Sequence, residues 1–276
     1  KMLVRIAPRA RGADFLTMEK MIALSGLTKK FGPILAVDDI NLTVNRGEVV
    51  GFLGPNGAGK TSIFNCISGV YHPQQGSILF RGEELLGKPP EDIARLGVAR
   101  MFQNIELFDN LTVLDNLMLG RGLHMNYSLA SAFLFGRAAR RQEVANRAVV
   151  ERLIEFLDIE RYRIYPVGML PYGVKKRVEL GRALAMDPTL LLLDEPVAGM
   201  NAEETEDMAR FILDVRAELG VTMVLVEHDM GFVMDLADRV LVLDFGERIA
   251  LGTPAEVQSD SKVIRAYLGE DLTGAA

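Results

Sequence analysis

The stretch GPNGAGKT, residues 54–61, decides how this sequence is interpreted. It matches the pattern G-x-x-x-x-G-K-[ST], the P-loop that holds nucleotide phosphates. The apolar run at residues 48–53 before it predicts a buried strand, and residues 62–69 after it predict a helix that ends at Gly69. A strand, a glycine-rich loop and a helix in this order are the structural context that the motif requires.

Physical chemistry explains the residue types in this loop. Its three glycines let the backbone curl until successive N–H groups point into one concavity at a positive helix N-terminus, which favours an anion. Lys60 can reach the β- and γ-phosphates, and the Thr61 hydroxyl can bind Mg²⁺. The alternative is a glycine-rich turn that matches by accident, roughly a one-in-a-hundred event for a chain of this length. The predicted nucleotide contacts are Gly54, Asn56, Gly57, Ala58, Gly59, Lys60, Thr61 and Ser62.

The composition limits the class of protein. With 276 residues, 49% of them apolar and 25% charged, the chain can form one large domain or two small ones. A net charge of −6 does not support a nucleic-acid partner, because phosphate backbones need a basic face. The single cysteine, Cys66, excludes an internal disulfide and is expected to pack as a small apolar side chain. No apolar run approaches the roughly 18–20 residues that cross a bilayer, so work at a membrane would require a partner.

The segments before the P-loop predict an extension followed by antiparallel strands. Residues 1–20 are expected to be an N-terminal extension, disordered or derived from expression, with an organelle-targeting segment as the alternative. Residues 21–44 predict strands that cover one side of the nucleotide-binding strand, with turns at 32–33 and 38–39. Phe31 could stack on adenine, and the alternative is that it belongs to the core.

Downstream of the P-loop, two strand-rich regions flank a helical block. Residues 104–170 predict helices, because apolar residues recur at helical spacing across 145–157. The other predicted elements are strands at 76–80, 98–103, 190–194, 221–227 and 239–243, helices at 91–96, 129–135, 175–186, 202–219 and 229–236, and a basic patch at 137–141 on or near a loop. The alternation of strands and helices after residue 171 predicts a parallel sheet, with ligands at the carboxyl ends of its strands.

Polar side chains are predicted at three of those strand ends. LLLLDEP, residues 190–196, ends a buried strand with two acids, of which Asp194 can hold Mg²⁺ and Glu195 can act as general base on the attacking water. A strand followed by a solvated acidic turn is the alternative. His228 could hydrogen-bond the γ-phosphate and orient water, and Gln103 could sense Mg²⁺ or that water. For these two side chains an ordinary structural role is the alternative.

Taken in order, these motifs resemble those of the ATP-binding subunits of ABC transporters. The resemblance covers roughly residues 21–269 and rests on GPNGAGKT (54–61), FQ (102–103) as the Q-loop, LPYGVKKRVELGRAL (170–184) at the signature position, LLLLDEP (190–196), AGMN (198–201) as the D-loop and EHD (227–229) with the switch histidine. It implies an α/β fold, the P-loop NTPase (RecA-like) parallel sheet with an antiparallel β subdomain and an inserted helical subdomain. The implied division is an ATPase core at 21–103 and 171–269, a helical insertion at 104–170 and a C-terminal tail at 270–276.

The resemblance also implies a site shared between two chains. Two cassettes would dimerise head to tail, so that residues 170–174 of one chain, with Tyr172 and Gly173, face the γ-phosphate on the other chain's P-loop. Phe31 takes the adenine-stacking position of the family, although tyrosine is more usual there. Gln103 would link occupancy of the γ-phosphate position to the helical subdomain.

Within the family, LPYG (170–173), VEHDM (226–230) and AYLGE (266–270) look like the branched-chain amino acid importer subunits. The sequence therefore predicts an ATPase that uses ATP and Mg²⁺ to energise import of branched-chain or related amino acids. The implied partners are membrane permease subunits, a second ATP-binding subunit, identical or different, and indirectly a solute-binding protein, with no nucleic acid. The implied location is peripheral, at the cytoplasmic face of the inner membrane.

Three other functions are compatible with the motifs. The first is the ATPase of a lipopolysaccharide-type exporter, whose sequences end similarly. The second is a soluble ABC ATPase of DNA repair or translation, although those usually carry two cassettes or a long coiled coil. The third is a regulatory module without turnover, because Pro171 and Val174 replace the serine and glutamine of the usual LSGGQ.

Overall fold

Two sheets form the centre of the molecule, whose computed structural model describes residues 19–125 and 137–268. The strands, in chain order, are β1 (Lys20–Phe31), β2 (Ile34–Asn45), β3 (Val49–Leu53), β4 (Gln75–Phe80), β5 (Glu83–Glu84), β6 (Val98–Met101), β7 (Leu190–Asp194), β8 (Thr222–Val226), β9 (Arg239–Asp244) and β10 (Glu247–Gly252). The larger sheet has the order β10–β9–β3–β8–β7–β6, and only β10 runs antiparallel to its neighbour. The smaller sheet, β2–β1–β4–β5, is antiparallel throughout. The predicted α/β fold with a parallel sheet and an antiparallel β region is therefore confirmed.

Helices cover both sheets. In chain order they are α1 (Lys60–Ile67), α2 (Pro90–Leu96), α3 (Val113–Gly120), α4 (Arg137–Phe156), α5 (Tyr172–Ala185), α6 (Ala202–Asp214), α7 (Met230–Leu236), α8 (Pro254–Ser259) and α9 (Ser261–Leu268). A π-helical turn, Val215–Leu219, continues α6. Asn201 and Thr253 begin α6 and α8 with capping boxes, which satisfy N–H groups that the first turn leaves free. Among the described residues, none of the helices has the length and apolar character needed to cross a membrane.

The parallel strands bring the predicted functional residues to one edge of the larger sheet. Every residue of β3, β7 and β8 is buried, because neighbouring elements cover both faces of a parallel sheet, and these strands are apolar except at Asp194, which ends β7, and Thr222, which begins β8. All the parallel strands end at the same edge. The P-loop follows β3 there, Asp194 ends β7, and Gln103 and His228 come shortly after β6 and β8.

The core is divided between the two faces of this sheet. On one face, Phe52 of β3 packs with Phe64 of α1 and Phe80 of β4, so the antiparallel sheet and the P-loop helix share an apolar cluster. On the other face, α3, α4 and α5 pack against the sheet through a second cluster that includes Leu117 and Ile154. The helical region is therefore held to the sheet by a continuous core.

The structure differs from the sequence expectations at several places. Residues 38–39 form no turn but lie inside β2, where Asp39 has φ 44° and the register between β1 and β2 shifts. The strand predicted at 98–103 ends at Met101, and the basic residues 137–141 begin α4 instead of a loop. Helix α5 begins three residues earlier than predicted, with Pro171 at its N-cap. Strand β1 begins at Lys20, inside the predicted extension, and the predictions for residues 1–18, 129–135 and 270–276 lie outside the described residues.

Candidate active site

Two glycines give the P-loop its shape. Gly54 has φ 154°, and a Cβ there would lie 2.3 Å from the carbonyl oxygen of Leu243 in β9. Gly59 has φ 99°, and a Cβ there would lie 2.3 Å from the carbonyl oxygen of Ala36 in β2. No larger residue can occupy either position without moving the backbone. The loop is therefore held between β2 and β9, with α1 beginning directly after it.

Lys60, the first residue of α1, is turned back onto the loop. Its Nζ donates hydrogen bonds to the carbonyl oxygens of Gly54 at 2.6 Å and Pro55 at 3.0 Å. The residue is only 5% exposed, and burial lowers the pKa of Lys60 while Glu195 and Asp194 act in the opposite direction. A phosphate oxygen could accept the same hydrogen bonds from Nζ as these carbonyl oxygens do. A carbonyl oxygen carries less negative charge than a phosphate oxygen. An anionic ligand can therefore replace the carbonyl oxygens at a gain in electrostatic energy.

A cavity of about 210 Å³ opens in front of this lysine. Its lining consists of the continuous stretch 56–62 together with Glu195 and His228. The structure therefore brings the P-loop, the predicted base and the predicted histidine around one space. The other predicted site residues do not line it: these are Phe31, Gly54, Gln103, Tyr172, Gly173 and Asp194.

The carboxylate of Glu195 is held from two sides at the rim of this cavity. Gln103 Nε2 donates to its Oε2 at 2.6 Å, and His228 Nε2 contacts its Oε1. The Glu195 backbone has φ 49°, a left-handed conformation that is uncommon for a residue other than glycine. Its N–H donates to the carbonyl oxygen of Val226 at 2.9 Å, which fixes the turn after β7 onto the end of β8. Gln103 does not line the cavity, but it contacts Glu195, which does.

Asp194 lies deeper than Glu195 and is only 2% exposed. Its Oδ2 is 2.5 Å from Nη2 of Arg100, a residue of β6 that the sequence analysis did not select. Its Oδ1 is buried without a hydrogen-bond partner. Arg100 is a cation in an otherwise apolar strand, and that pattern could have identified it as the partner of a buried acid.

Glu227 is a second buried acid whose role the sequence analysis missed. Its Oε1 accepts a hydrogen bond from the Val197 N–H at 3.1 Å, and its Oε2 accepts one from the His228 N–H at 3.1 Å. Burial raises the pKa of Glu227, and these two backbone N–H groups lower it. The side chain therefore connects the segment after Glu195 to the loop that carries His228. Its position at the end of a predicted buried strand, next to His228, could have identified Glu227 from the sequence.

The remaining predicted residues lie elsewhere. Phe31 is 40% exposed and packs edge-on against Tyr71, with ring centroids 5.1 Å apart. The Tyr172 hydroxyl donates to the carbonyl oxygen of Ala198 at 2.9 Å, and a Cβ on Gly173 would meet the Glu204 side chain. Within one chain, the segment 170–174 thus packs on the predicted D-loop and α6 and is not part of the cavity.

A buried cluster on α5 contacts the loop after β6, which includes the predicted Q-loop residue Gln103. Lys176 and Glu179 are 0% and 1% exposed, and Lys176 Nζ donates to the carbonyl oxygen of Gln103 at 2.8 Å. Arg182 donates to the carbonyl oxygen of Glu106, which lies on the same loop. Burial raises the pKa of Glu179 to about 7, although Lys176 and Arg182 lower it. The loop that positions Gln103 is therefore fixed to α5 at two carbonyl groups.

The amino-acid sequence matches the model of a known family. Residues 37–198 match the model described as ABC transporter, which covers more than half of the chain. The chain belongs to the ABC transporter family, as an ATPase cassette. A second model, described as Branched-chain amino acid ATP-binding cassette transporter, matches residues 247–273 of the cassette.

Individual relatives agree with this assignment. The high-affinity branched-chain amino acid transport ATP-binding protein BraF of Pseudomonas aeruginosa is 40% identical over 250 residues, which is 91% of this cassette and 98% of that protein. The corresponding protein LivG of Escherichia coli K12 is 39% identical over 254 residues, 91% of this cassette and 99% of that protein. The crystal structure of the ADP conformation of MJ1267, an ATP-binding cassette of an ABC transporter, has a TM-score of 0.79 and 29% identity, and covers 91% of this cassette and 99% of that chain.

Proposed function

We propose that this cassette hydrolyses Mg²⁺-ATP to drive the import of branched-chain or related amino acids. It acts with membrane permease subunits and a second ATP-binding subunit, and indirectly with a solute-binding protein, at the cytoplasmic face of the inner membrane. The names of BraF and LivG and the match of residues 247–273 support this substrate class. The support for hydrolysis comes from the site itself.

The observation that carries the proposal is the position of the Glu195 carboxylate beside Lys60 and His228 around one cavity. Lys60 exchanges its two loop carbonyls for oxygens of the β- and γ-phosphates, where its charge opposes the charge that develops in the transition state. Glu195 accepts a proton from the attacking water. Gln103 and His228, which contact the two oxygens of that carboxylate, hold it toward the terminal phosphate.

The residues present fit a magnesium ion. Asp194 has a buried oxygen, Oδ1, that lacks a hydrogen-bond partner, and Thr61 carries a hydroxyl in the lining of the cavity. Oxygen ligands of this kind, one carboxylate and one hydroxyl beside phosphates, are those that Mg²⁺ uses in nucleotide sites. Thr61, Asp194 and Gln103 would hold the ion, which when bound neutralises charge on the phosphate groups.

A second cassette would complete the site. In this chain, Tyr172 is 42% exposed and Met169 is 75% exposed, so the start of α5 presents apolar surface beside a helix N-terminus. That N-terminus lies outside the cavity formed by the same chain's P-loop. A head-to-tail pair would bring it to the partner's terminal phosphate, where its N–H groups favour negative charge. Phe31, which is partly exposed at the end of β1, is proposed to stack on adenine.

Two measurements test the proposal. Glu195→Gln should retain ATP binding and lose about a thousandfold in turnover, because the base is removed while the phosphate contacts remain. Glu203→Gln, which changes an exposed acid in the first turn of α6, is the matched control and should keep wild-type turnover. Undiminished hydrolysis in Glu195→Gln would exclude Glu195 as the base.

A test of the proposed substrate class requires the intact transporter. The cassette would be reconstituted in proteoliposomes with its permease subunits and binding protein, and ATP hydrolysis measured with leucine, isoleucine or valine against lysine and glutamate. Stimulation by the branched-chain set is expected. Stimulation by another class of solute alone, or transport in the outward direction, would contradict the proposed import.

A further inference from the structure

Arg100 occupies a central position that the mechanism above does not use. It lies in β6, where it is aligned with Leu192 of β7, and its side chain is 8% exposed. Its Nη2 contacts Asp194 Oδ2 at 2.5 Å, and its Nη1 donates to Asn65 Oδ1 of α1 at 2.6 Å. The Cζ atom of the guanidinium group lies near two aromatic rings, 4.8 Å from the centroid of Phe102 and 5.7 Å from that of Phe64.

These contacts join the three segments that carry the proposed magnesium ligands. Asn65 is on the helix that begins with Lys60 and Thr61, Asp194 ends β7, and Gln103 follows Arg100 by three residues along the chain. One planar cation with two fixed donors thus sets the distance between α1 and β7. Lysine could not do the same, because its ammonium group is a point charge without a rigid fork.

The ion pair with Arg100 also fixes the orientation of the Asp194 carboxylate. Arg100 contacts only one oxygen of the carboxylate, Oδ2, and the other oxygen remains buried and without a partner. A carboxylate fixed at one oxygen cannot turn its free oxygen to a new direction without breaking a buried ion pair. The guanidinium group itself is held by Asn65 and the two rings, so the orientation is determined by packing.

We propose that Arg100 is a positioning residue that orients Asp194 toward the metal and keeps it in register with Thr61. It acts from behind the carboxylate, as the hydrogen-bonded outer groups of metal sites do, and loss of such groups typically lowers metal affinity by about 10–100-fold. A purely electrostatic role of Arg100 predicts the opposite change in metal affinity. If Arg100 merely neutralised Asp194, removing its charge would strengthen binding of the cation. This inference rests on the proposed ATPase site and refines it.

The test measures metal binding without hydrolysis. Full-length protein is titrated with Mn²⁺, in place of Mg²⁺, in the presence of ADP, and bound metal is followed by electron paramagnetic resonance. ADP affinity in EDTA is measured separately by calorimetry. Arg100→Gln and Arg100→Lys should both weaken Mn²⁺ binding by about tenfold or more, while ADP affinity in EDTA stays within about twofold of wild type.

Two further variants separate positioning from general damage. Asn65→Leu keeps the ion pair with Asp194 and the 3.4 Å contact of Nη1 with Ser68 at the end of α1, and removes the shorter contact to α1. It should therefore shift Mn²⁺ affinity in the same direction by a smaller factor. Arg239→Gln breaks another partly buried ion pair, with Glu48 at 3.0 Å, at the opposite edge of the sheet. It should leave Mn²⁺ affinity unchanged even where it lowers the melting temperature.

The possible results separate a positioning role of Arg100 from a purely electrostatic one and from general damage to the P-loop. Unchanged or tighter Mn²⁺ binding in Arg100→Gln would overturn the positioning role, and so would full rescue by Arg100→Lys, because charge alone would then be sufficient. An equal loss of ADP affinity in EDTA would also overturn it, since the whole P-loop would then be disturbed. A wild-type chain that bound no ADP would instead refute the proposed function.

Discussion

The P-loop and helix α5 each bury one lysine, and the two lysines have different surroundings. Lys60 is 5% exposed and Lys176 is 0% exposed, and burial lowers the pKa of both. Lys60 donates to loop carbonyls at the edge of a cavity. Lys176 donates to the Gln103 carbonyl and lies 3.7 Å from the carboxylate of Glu179 inside the core.

The difference shows what makes a buried cation available for a ligand. Neutral acceptors beside a cavity can be exchanged for phosphate oxygens, and the gain in charge pairing drives the exchange. A carboxylate inside the core cannot be exchanged, because separating the pair would leave an uncompensated buried charge. Burial alone therefore does not identify a binding lysine, and substitutions at Lys176, Lys60 and Glu179 should separate the two environments.

The largest effect is expected for Lys176→Met. At pH 8 the variant should lose about 3–5 kcal/mol in the free energy of unfolding, because the buried Glu179 loses its cation and must either stay charged without a partner or take up a proton. ADP affinity of the folded fraction should stay close to wild type. Urea unfolding followed by circular dichroism measures the loss, and Lys175→Met, at a half-buried neighbouring lysine, is the control. A melting curve identical to wild type would contradict the structural role.

A smaller effect, on binding instead of stability, is expected for Lys60→Met. ATP affinity should fall about a hundredfold, close to 2.7 kcal/mol, because charge-assisted hydrogen bonds to the phosphates are lost. The free energy of unfolding should not fall, since a desolvated cation bonded only to carbonyls is replaced by an apolar side chain. Calorimetric titration with ATP in EDTA checks the first statement and urea unfolding the second. Equal ATP affinity in both proteins would remove Lys60 from the phosphate site.

The smallest effect is a change in pH dependence on Glu179→Gln. The pKa of Glu179 is about 7 in the folded chain and near 4.5 when unfolded, so the folded state binds its proton more tightly. Stability from this group is therefore present at low pH and declines as the pH rises toward 7. Lys176, Arg182 and the backbone N–H groups of Phe102 and Glu106 face the carboxylate and offset part of the penalty.

Replacing Glu179 by glutamine should flatten that decline. Between pH 5 and pH 8 the wild-type chain should lose about 2–3 kcal/mol more than the variant in the free energy of unfolding. Chemical denaturation at several pH values gives the two slopes. Parallel slopes would mean that Glu179 titrates normally in the folded chain.

The parts of the fold that could be predicted depend on local patterns. The strand, glycine loop and helix around residues 54–61 were predicted because each element has its own signal, and the structure confirms them as β3, the P-loop and α1. Strand Leu190–Asp194 was predicted to the residue, since a continuous apolar run ending in acids is distinctive. The predicted turn at residues 38–39 was wrong because paired Asp residues are typical of turns, whereas here the pairing of β1 with β2 accommodates them as an irregularity in a long strand.

The P-loop motif, the parallel sheet and the family could all be inferred from the amino-acid sequence, because glycine spacing, apolar periodicity and motif order are local properties of the chain. The side chains that hold the site together could be identified only from the packing of the folded chain. Arg100, Lys176 and Glu227 acquire partners from segments distant in sequence. Glu179 pairs with Lys176 one turn away on the same helix, and both are buried only after other segments pack on that helix. From the sequence, a charged side chain in a strand or helix is expected to be exposed to solvent. Its burial can be recognised only when the segment that packs over it is known, and the fold determines which segment that is.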